Sequence, residues 1–211
     1  MGRPAAASIS VATAERVLDA ALDEFAGRGF DGARLQDIAE RAGITRPSLL
    51  YHFASKEQLY TATLARAASQ LSEMILSAIG ANGSFADRVH FLVEGFLEFA
   101  GAHPRVCRLL LRTVITDDAP ETRPLYLDQV RPLIDDVMRF FVDDGGARDA
   151  AVLRAGLLSI VVHILTKSAA GDLRAPLWGN DDDEDTWLFV EQLLARRKTR
   201  QSWENPAERP S

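Results

Sequence analysis

Cysteine is nearly missing from this 211-residue sequence, which holds only Cys107. One thiol excludes an internal disulfide, and no cluster of residues has metal-ligand spacing, so disulfide and zinc scaffolds are out and a reducing cytoplasm fits. Long hydrophobic runs are lacking as well. The longest uncharged stretch of the most apolar region, Ala155 to Thr166 between Arg154 and Lys167, falls well short of the roughly 20 residues a membrane span needs. It predicts a buried helix and no membrane partner. At the N-terminus no basic start leads into an apolar run with a cleavage site, and "MGRPAA" lacks the Ser or Thr of a myristoylation signal, so a cytoplasmic location is expected. A Gly-rich phosphate loop, paired carboxylates and a Ser/His/Asp signature are also missing, so neither an enzyme nor a cofactor is expected.

What is present is ordinary globular material: 47% of residues are apolar, enough for one large domain or for a small module and a larger one. The formal net charge of −6 is unevenly spread. Residues 1 to 70 hold eight basic and eight acidic side chains, leaving sixteen against twenty-two for the remainder. A neutral module binds a polyanion only if its cations share one face, whereas the acidic remainder would be repelled by phosphates.

Apolar residues Val17, Leu18, Ala21, Leu22 and Phe25 recur at helical spacing after a candidate N-cap at Thr13, with Gly27 and Gly29 as the stop. Leu35, Ile38, Ala39 and Ala42 repeat the pattern up to Gly43, predicting a second, shorter helix. A third runs from about Arg46 to Phe53, with Thr45 as N-cap and Pro47 in the first turn, where no intrahelical bond is lost. Ser55 opens "SKEQ", a capping box with Gln58, and starts a long fourth helix. Beyond Gly80, turn signals separate helical patterns near 85–100, 104–115, 121–142, 148–170 and 186–198. No strand-like alternation survives. The fold class is all-α: an N-terminal three-helix bundle at 13–56 after a flexible arm at 1–12, a linking helix at 56–79, a larger helical bundle over 57–198 and a disordered tail at 199–211.

The segment "GITRPSLLYHF" (43–53) carries the functional signal. Two short helices around a tight Gly-containing turn, with Ile38, Ala42, Ile44 and Leu49 inward, form the pattern of a helix-turn-helix whose second helix enters the major groove of duplex DNA. Thr45, Arg46, Ser48, Tyr51 and His52 then share the outer face, where a guanidinium reads guanine edges and hydroxyls meet phosphates. Pro47 offers an apolar surface to a thymine methyl. Lys56 at the start of the fourth helix, and Arg34 and Gln36 at the start of the second, are candidate phosphate contacts. The alternative is a surface helix of mixed polar residues.

The run "AERVLDAALDEFAGRGFDGARLQDIAERAGITRPSLLYHFASKEQLY", about residues 13–60, resembles the DNA-binding domain of the tetracycline-repressor (TetR) family of bacterial transcriptional regulators. "AALDEFAGRGF", "DIAERAGIT", "LLYHF" and "SKEQL" occur in the family's order. Two positions depart from the pattern: Arg34 stands where the family has a capping Ser or Thr, and Leu50 where it has a phosphate-contacting tyrosine, with Tyr51 next to it. The resemblance implies a homodimer on a palindromic operator, mostly a repressor released by a small molecule, and a C-terminal domain for ligand binding and dimerisation. The other possibility is a helical ligand-binding or adaptor protein that no longer binds DNA.

The helices that enclose the family's pocket carry Phe96, Phe99, His103, Cys107, Leu111, Tyr126, Val130, Ile134, Met138 and His163, which would suit a hydrophobic or aromatic effector. Ordinary core packing is the alternative for each. "AVLRAGLLSIVVHILT" is apolar on nearly every face and wants partners on several sides. Leu157, Ile160, Val161 and Ile164, with Trp187, Val190 and Leu194 of the last helix, are the candidate dimer contacts. His103 and Cys107 are too few for a metal site, and "DDDED" (181–185) lacks a calcium loop's glycine, so no metal is expected. Its carboxylates are expected to stabilise a helix N-terminus in solvent.

Overall fold

The structure, a computed structural model, describes residues 6–115, 123–147, 149–179 and 183–199; the side chains of 6–10, 123–126, 129 and 192–199 lie outside the described set. Among the described residues there is no strand. The fold is all-α.

Helix α1 (Ala6–Gly32) begins ahead of the expected start at Thr13, so residues 6–12 of the expected arm are helical, while residues 1–5 lie outside the described set. Gly27, expected to help stop it, lies inside. The break comes at Gly29 (φ 74°, ψ 179°), a conformation that costs a residue with a Cβ on the order of 1–2 kcal/mol. The bend brings Phe30 back to the core, its ring 6.3 Å from Phe25 and 5.2 Å from Tyr60.

Helices α2 (Leu35–Arg41) and α3 (Arg46–His52) meet at a turn closed by two bonds. The Ile44 amide donates to the Ala39 carbonyl at 3.0 Å and the Gly43 amide to the Glu40 carbonyl at 3.1 Å, with Gly43 at φ 69°. This is a Schellman cap, which needs a left-handed residue at that point. Helix α4 (Lys56–Ile79) starts as a capped helix, but with one change from the expected box. Ser55 Oγ accepts from the Gln58 backbone amide at 3.1 Å, whereas the Gln58 side-chain Oε1 accepts from the amide of Ala54, at 2.6 Å.

The remaining helices are α5 (Phe85–Ala102), α6 (Pro104–Ile115), α7 (Arg123–Asp143), α8 (Ala150–Ala169), α9 (Arg174–Trp178) and α10 (Glu184–Thr199). Short α9 was not foreseen, because Pro and Gly punctuate "LRAPLWG". The expected first turn of α7 at 121–122 and the tail beyond Thr199 lie outside the described residues.

Apolar burial divides into two cores. The first collects Phe25, Ile38, Leu49 and Leu59 with other residues of α1 to α4, and the second joins α4 to α8 and α10 around Phe96, Phe141 and Ile164. Helix α4 belongs to both, Leu64 lying in the first and Ala67 in the second. Helix α6 is the other bridge: Leu109 is buried in the first core and Leu110 in the second. Polar ties reinforce the junction. Arg66 of α4 pairs with Glu15 and Asp19 of α1 at 3.0 and 2.7 Å, and Arg105 of α6 pairs with Asp23 of α1.

Candidate functional site

Helix α3 is held by one buried residue, Leu49, and by Thr45, whose hydroxyl accepts from the Ser48 amide at 3.3 Å. The threonine hydroxyl keeps its own proton to donate outward. With Leu49 and Phe53 inward and Leu50 half-buried against the first core, the opposite face shows Thr45, Arg46 and Pro47 exposed and Ser48 and His52 half-buried. Tyr51 is 86% exposed and meets the His52 ring edge to face at 5.6 Å. Leu50 is therefore a packing residue, and the accessible phenol is that of Tyr51.

Charge placement separates two sets of arginines. Arg28 pairs with Glu24 and Asp37, and Arg41 with Asp23 and Glu24 at 3.1 Å each. Those cations are spent within the bundle. Arg34, Arg46 and Lys56 have no ion-pair partner among the described residues. Arg34 stands at the N-cap of α2 without a capping side chain, exposed beside Gln36. Gln36 is partly engaged, donating to Glu40 at 2.6 Å. Lys56 lies over the Phe30 ring at 4.7 Å and donates to the Asp31 carbonyl at 3.3 Å, which fixes its ammonium at the end of α1. At the same helix start Glu57 is held below the usual carboxylate range by its hydrogen bond with Ser55, so this N-terminus already carries one anion.

The second core encloses a cavity of about 320 Å³ walled by α4 to α8 and α10. Of the candidate pocket residues, Phe96, Leu111, Val130, Ile134 and Met138 line it. Phe99, His103, Cys107 and His163 do not. Phe99 packs in the core with the exposed His103 ring 4.8 Å away. Cys107 is wholly buried, and burial pushes its thiol up. His103 and Cys107 thus point into different media. The Tyr126 side chain lies outside the described set. Lining residues that the sequence did not single out include Val93, Leu133, Phe141 and Arg154.

Residues 17–63 match the family model for bacterial regulatory proteins of the tetR family. Over 149 residues the chain is 29% identical to the HTH-type transcriptional activator FasR of Mycolicibacterium smegmatis, covering 70% of this chain and 68% of that protein. It is 32% identical over 146 residues to the HTH-type transcriptional regulator RutR of Escherichia coli, covering 68% of this chain and 63% of that one. The chain belongs to the TetR family. A TetR-like transcriptional regulator from Rhodococcus sp. RHA1 superposes with a TM-score of 0.71 at 24% identity over 88% of this chain and 94% of that one. The transcriptional regulator FadR from Bacillus subtilis, in complex with stearoyl-CoA, superposes with 0.63 at 13% identity over 86% and 95%. Like the TetR-family relatives it matches, the chain is a DNA-binding transcriptional regulator with a helix-turn-helix.

The candidate dimer contacts of this TetR-family chain lie at different depths. Ile160, Ile164 and Val190 are buried in its own second core, and Leu157, Val161 and Trp187 pack against that core, with Trp187 stacked on His90 at 4.7 Å. The Leu194 side chain lies outside the described set. A helix apolar on nearly every face gives no phase by which to tell inside from outside. Val152, Ala155, Ser159 and Val162 form an exposed stripe at helical spacing along α8, beside exposed Arg154 and Leu158, and of these Arg154, Leu158 and Val162 also line the cavity. By length and composition α8 is the one described helix apolar enough to cross a membrane, yet only 28% of its most apolar window is buried within the chain.

One cluster escaped sequence reasoning. Lys167 of α8 is 3% exposed and pairs with Asp183 at 2.9 Å and Asp185 at 2.6 Å, at the start of α10. His163 lies 3.2 Å from Asp185. Burial alone would lower the lysine's pKa, but the hydrogen bonds to Asp185 and Asp183 outweigh it and raise it. For Asp185 burial raises, while the Lys167 hydrogen bond and the Thr186 amide bring the carboxyl below its usual range. The last carboxylates of "DDDED" thus clasp α10 to α8, where solvated helix-end charges were expected. Asp181 and Asp182 lie outside the described residues. A lysine closing an apolar run, with an acidic run ahead of the next helix, was the available signal.

Proposed function

We propose that the chain is a homodimeric repressor that grips a palindromic operator with α3 and lets go when a hydrophobic small molecule fills the cavity, acting in the cytoplasm. The observation that carries the DNA reading is the segregation of charge. Arg28 and Arg41 are consumed by internal ion pairs, whereas Arg46 on α3, Arg34 at the start of α2 and Lys56 at the start of α4 have no ion-pair partner among the described residues. Arg46 then reads base edges, while Thr45, Ser48, Tyr51, His52, Gln36, Arg34 and Lys56 meet the sugar-phosphate backbone and Pro47 a thymine methyl. The working division is 13–56 for DNA, the long helix as link and 57–198 for ligand and partner, with Leu59, Leu64 and Leu109 of the larger part packed in the first core.

The open stripe of α8, with the exposed Leu188 and Phe189 of α10, supplies the surface a second subunit would cover. Two recognition helices roughly 34 Å apart would then reach successive major grooves. Release follows from the two bridges. Ala68, Leu71 and Ile75 of α4 and Leu110, Leu111 and Val114 of α6 wall the cavity, while Leu59 and Leu109 on the same helices are buried in the DNA-binding core. An occupant that displaces either helix changes the spacing of the two α3 helices. The bound stearoyl-CoA of FadR supports ligand responsiveness for this architecture. Ligand and operator are then reciprocally coupled, by about 1–3 kcal/mol in typical cases.

Selection from random duplexes with the intact protein, followed by binding at several salt concentrations, tests this. A site with two-fold symmetry, bound with an affinity that falls steeply with salt, is the expected result. Indifference to duplex DNA at low ionic strength would favour the adaptor reading. A promoter reporter reads the sign: repression is expected, and activation, as in the name of FasR, would reverse that part.

A further inference from the structure

Among the described residues the wall of the cavity is not closed. Four of its apolar lining residues keep a large share of their surface in solvent: Val114 of α6 is 61% exposed, Leu127 of α7 45%, and Leu158 and Val162 of α8 43% each. Deeper in the lining Leu133, Met138, Ile164 and Leu165 are buried. The hollow thus has an open side.

Three of the exposed four meet at one level. Arg108 of α6 donates to the Ala169 carbonyl of α8 at 3.1 Å. From there α6 lines the cavity through Leu110, Leu111 and Val114, opposite residues of α8 that precede Ala169, so the two helices run antiparallel. Val114 lies six residues beyond Arg108, about 9 Å along the helix, and the same distance back from Ala169 reaches Val162 and His163. Helices α7 and α8 are joined by the short connection after Asp143 and meet through Asp135 and Arg154, so they too are antiparallel. Leu127 precedes Asp135 by eight residues and Val162 follows Arg154 by eight, about 12 Å from that pair on each helix. Val114, Leu127 and Val162 therefore edge one mouth.

Val162 also belongs to the exposed stripe of α8, whose other members are Val152, Ala155 and Ser159. On the far flank of the stripe stands α10, where the exposed Phe189 has its ring 6.3 Å from His163. Mouth, stripe and Phe189 make one continuous surface with α8 in its middle. A second copy of the chain fits that surface. Helices of 20 and 16 residues, each about 10–12 Å wide, offer a footprint of roughly 540–650 Å², of the order of the about 800 Å² per partner in a standard interface. The stripe carries no charge, so it meets its own copy across a two-fold axis without repulsion.

We propose that the partner subunit closes the mouth, so that the ligand site is complete only in the dimer. This rests on the homodimer reading above and names the regulation of its cavity. Ligand affinity and dimer affinity then rise together. Release of the operator proceeds by a change of spacing within an intact dimer, without dissociation.

The neutral apolar fluorophore N-phenyl-1-naphthylamine is the probe. Sedimentation of the intact protein over a dilution series reads the dimer, and fluorescence titration at the same concentrations reads the probe. The dimer should bind it at least about tenfold more tightly than the monomer, the effect of covering roughly 55 Å² of apolar surface, and the probe should move the dimer midpoint to lower protein concentration. Ser159→Arg and Val152→Arg, neither of which lines the cavity, supply monomers, and unchanged melting temperatures would show that they fold. Val152 lies about 15 Å along α8 from Val162, so equal losses in both variants trace to the missing partner and not to a new side chain at the mouth. Methyl-labelled methionine NMR locates the probe: Met138 lines the cavity and Met74 does not, so the Met138 signal should move further, and only in the dimer. A folded monomer with undiminished affinity and a shifted Met138 would overturn the proposal and leave the homodimer in place. A dimer in which the probe leaves Met138 unmoved would overturn it as well. A chain that sediments as a monomer at every concentration would remove the homodimer reading itself, and the shared site with it.

Discussion

At the residue scale, base reading and phosphate holding are separable because Arg46 and Lys56 sit differently. Arg46 is exposed on α3 without a tether, whereas Lys56 is fixed by the Phe30 ring and the Asp31 carbonyl. Arg46→Ala should cost about 1–3 kcal/mol on the preferred duplex and relax base preference. Lys56→Ala should weaken all duplexes alike and flatten the salt slope by about one unit. Equal losses on specific and random duplex for both variants would remove these roles. Gly43 tests the turn itself. A Cβ there would meet nothing within 4 Å, so Gly43→Ala carries only the strain of φ 69°, about 1–2 kcal/mol. Chemical denaturation would read it, and a neutral effect would mean that the turn is not held in this form.

At the scale of elements, α6 and the α8–α10 clasp matter most. Leu109 is fully buried in the DNA-binding core, while its neighbours Leu110 and Leu111 wall the cavity. Leu109→Ala should destabilise by about 2–5 kcal/mol and shrink the change in operator affinity that a ligand produces, while ligand affinity itself moves less. Full coupling in a folded variant would exclude α6 as the link. In the clasp, Lys167→Met strands two carboxylates that each keep about a quarter of their exposure, so the cost should fall below the about 3–5 kcal/mol of a broken buried pair. Its pH dependence has a defined sign. Asp185 is lowered when folded, so its contribution is present above the usual 3.8 and is lost as pH falls through the lower folded value. Lys167 is raised, so its contribution is complete below 10.5 and is lost only as pH rises through the higher folded value. The stability gap between wild type and Lys167→Met should therefore be flat from about pH 5 to 9 and close in acid.

For the whole molecule, the test is assembly. Ser159 lies mid-stripe on the open face of α8, and its hydroxyl bonds only to its own helix, at the Ala155 carbonyl. It does not line the cavity. Ser159→Arg should yield a folded monomer by sedimentation that has lost tight operator binding, because one α3 reaches only one half-site. A variant that still sediments as a dimer would move the interface off this stripe.

Much of this molecule was legible beforehand. Helical periodicity, the Thr45 and Ser55 caps and the glycine at 43 determined the helix-turn-helix and its outward face, because those features act within a few residues of chain and leave a local mark. The inner and outer faces of α8 were not legible, since Ile160 and Val162 are equally apolar in sequence and only packing against α5, α6 and α10 buries one and leaves the other open. The same holds for the lysine clasp and for the arginine in the cavity lining. Lys167 meets Asp183 and Asp185 across a connection, and Arg154 meets a hollow made by helices far apart in the chain. Contacts between distant segments depend on how elements dock, and docking is a property of the assembled core.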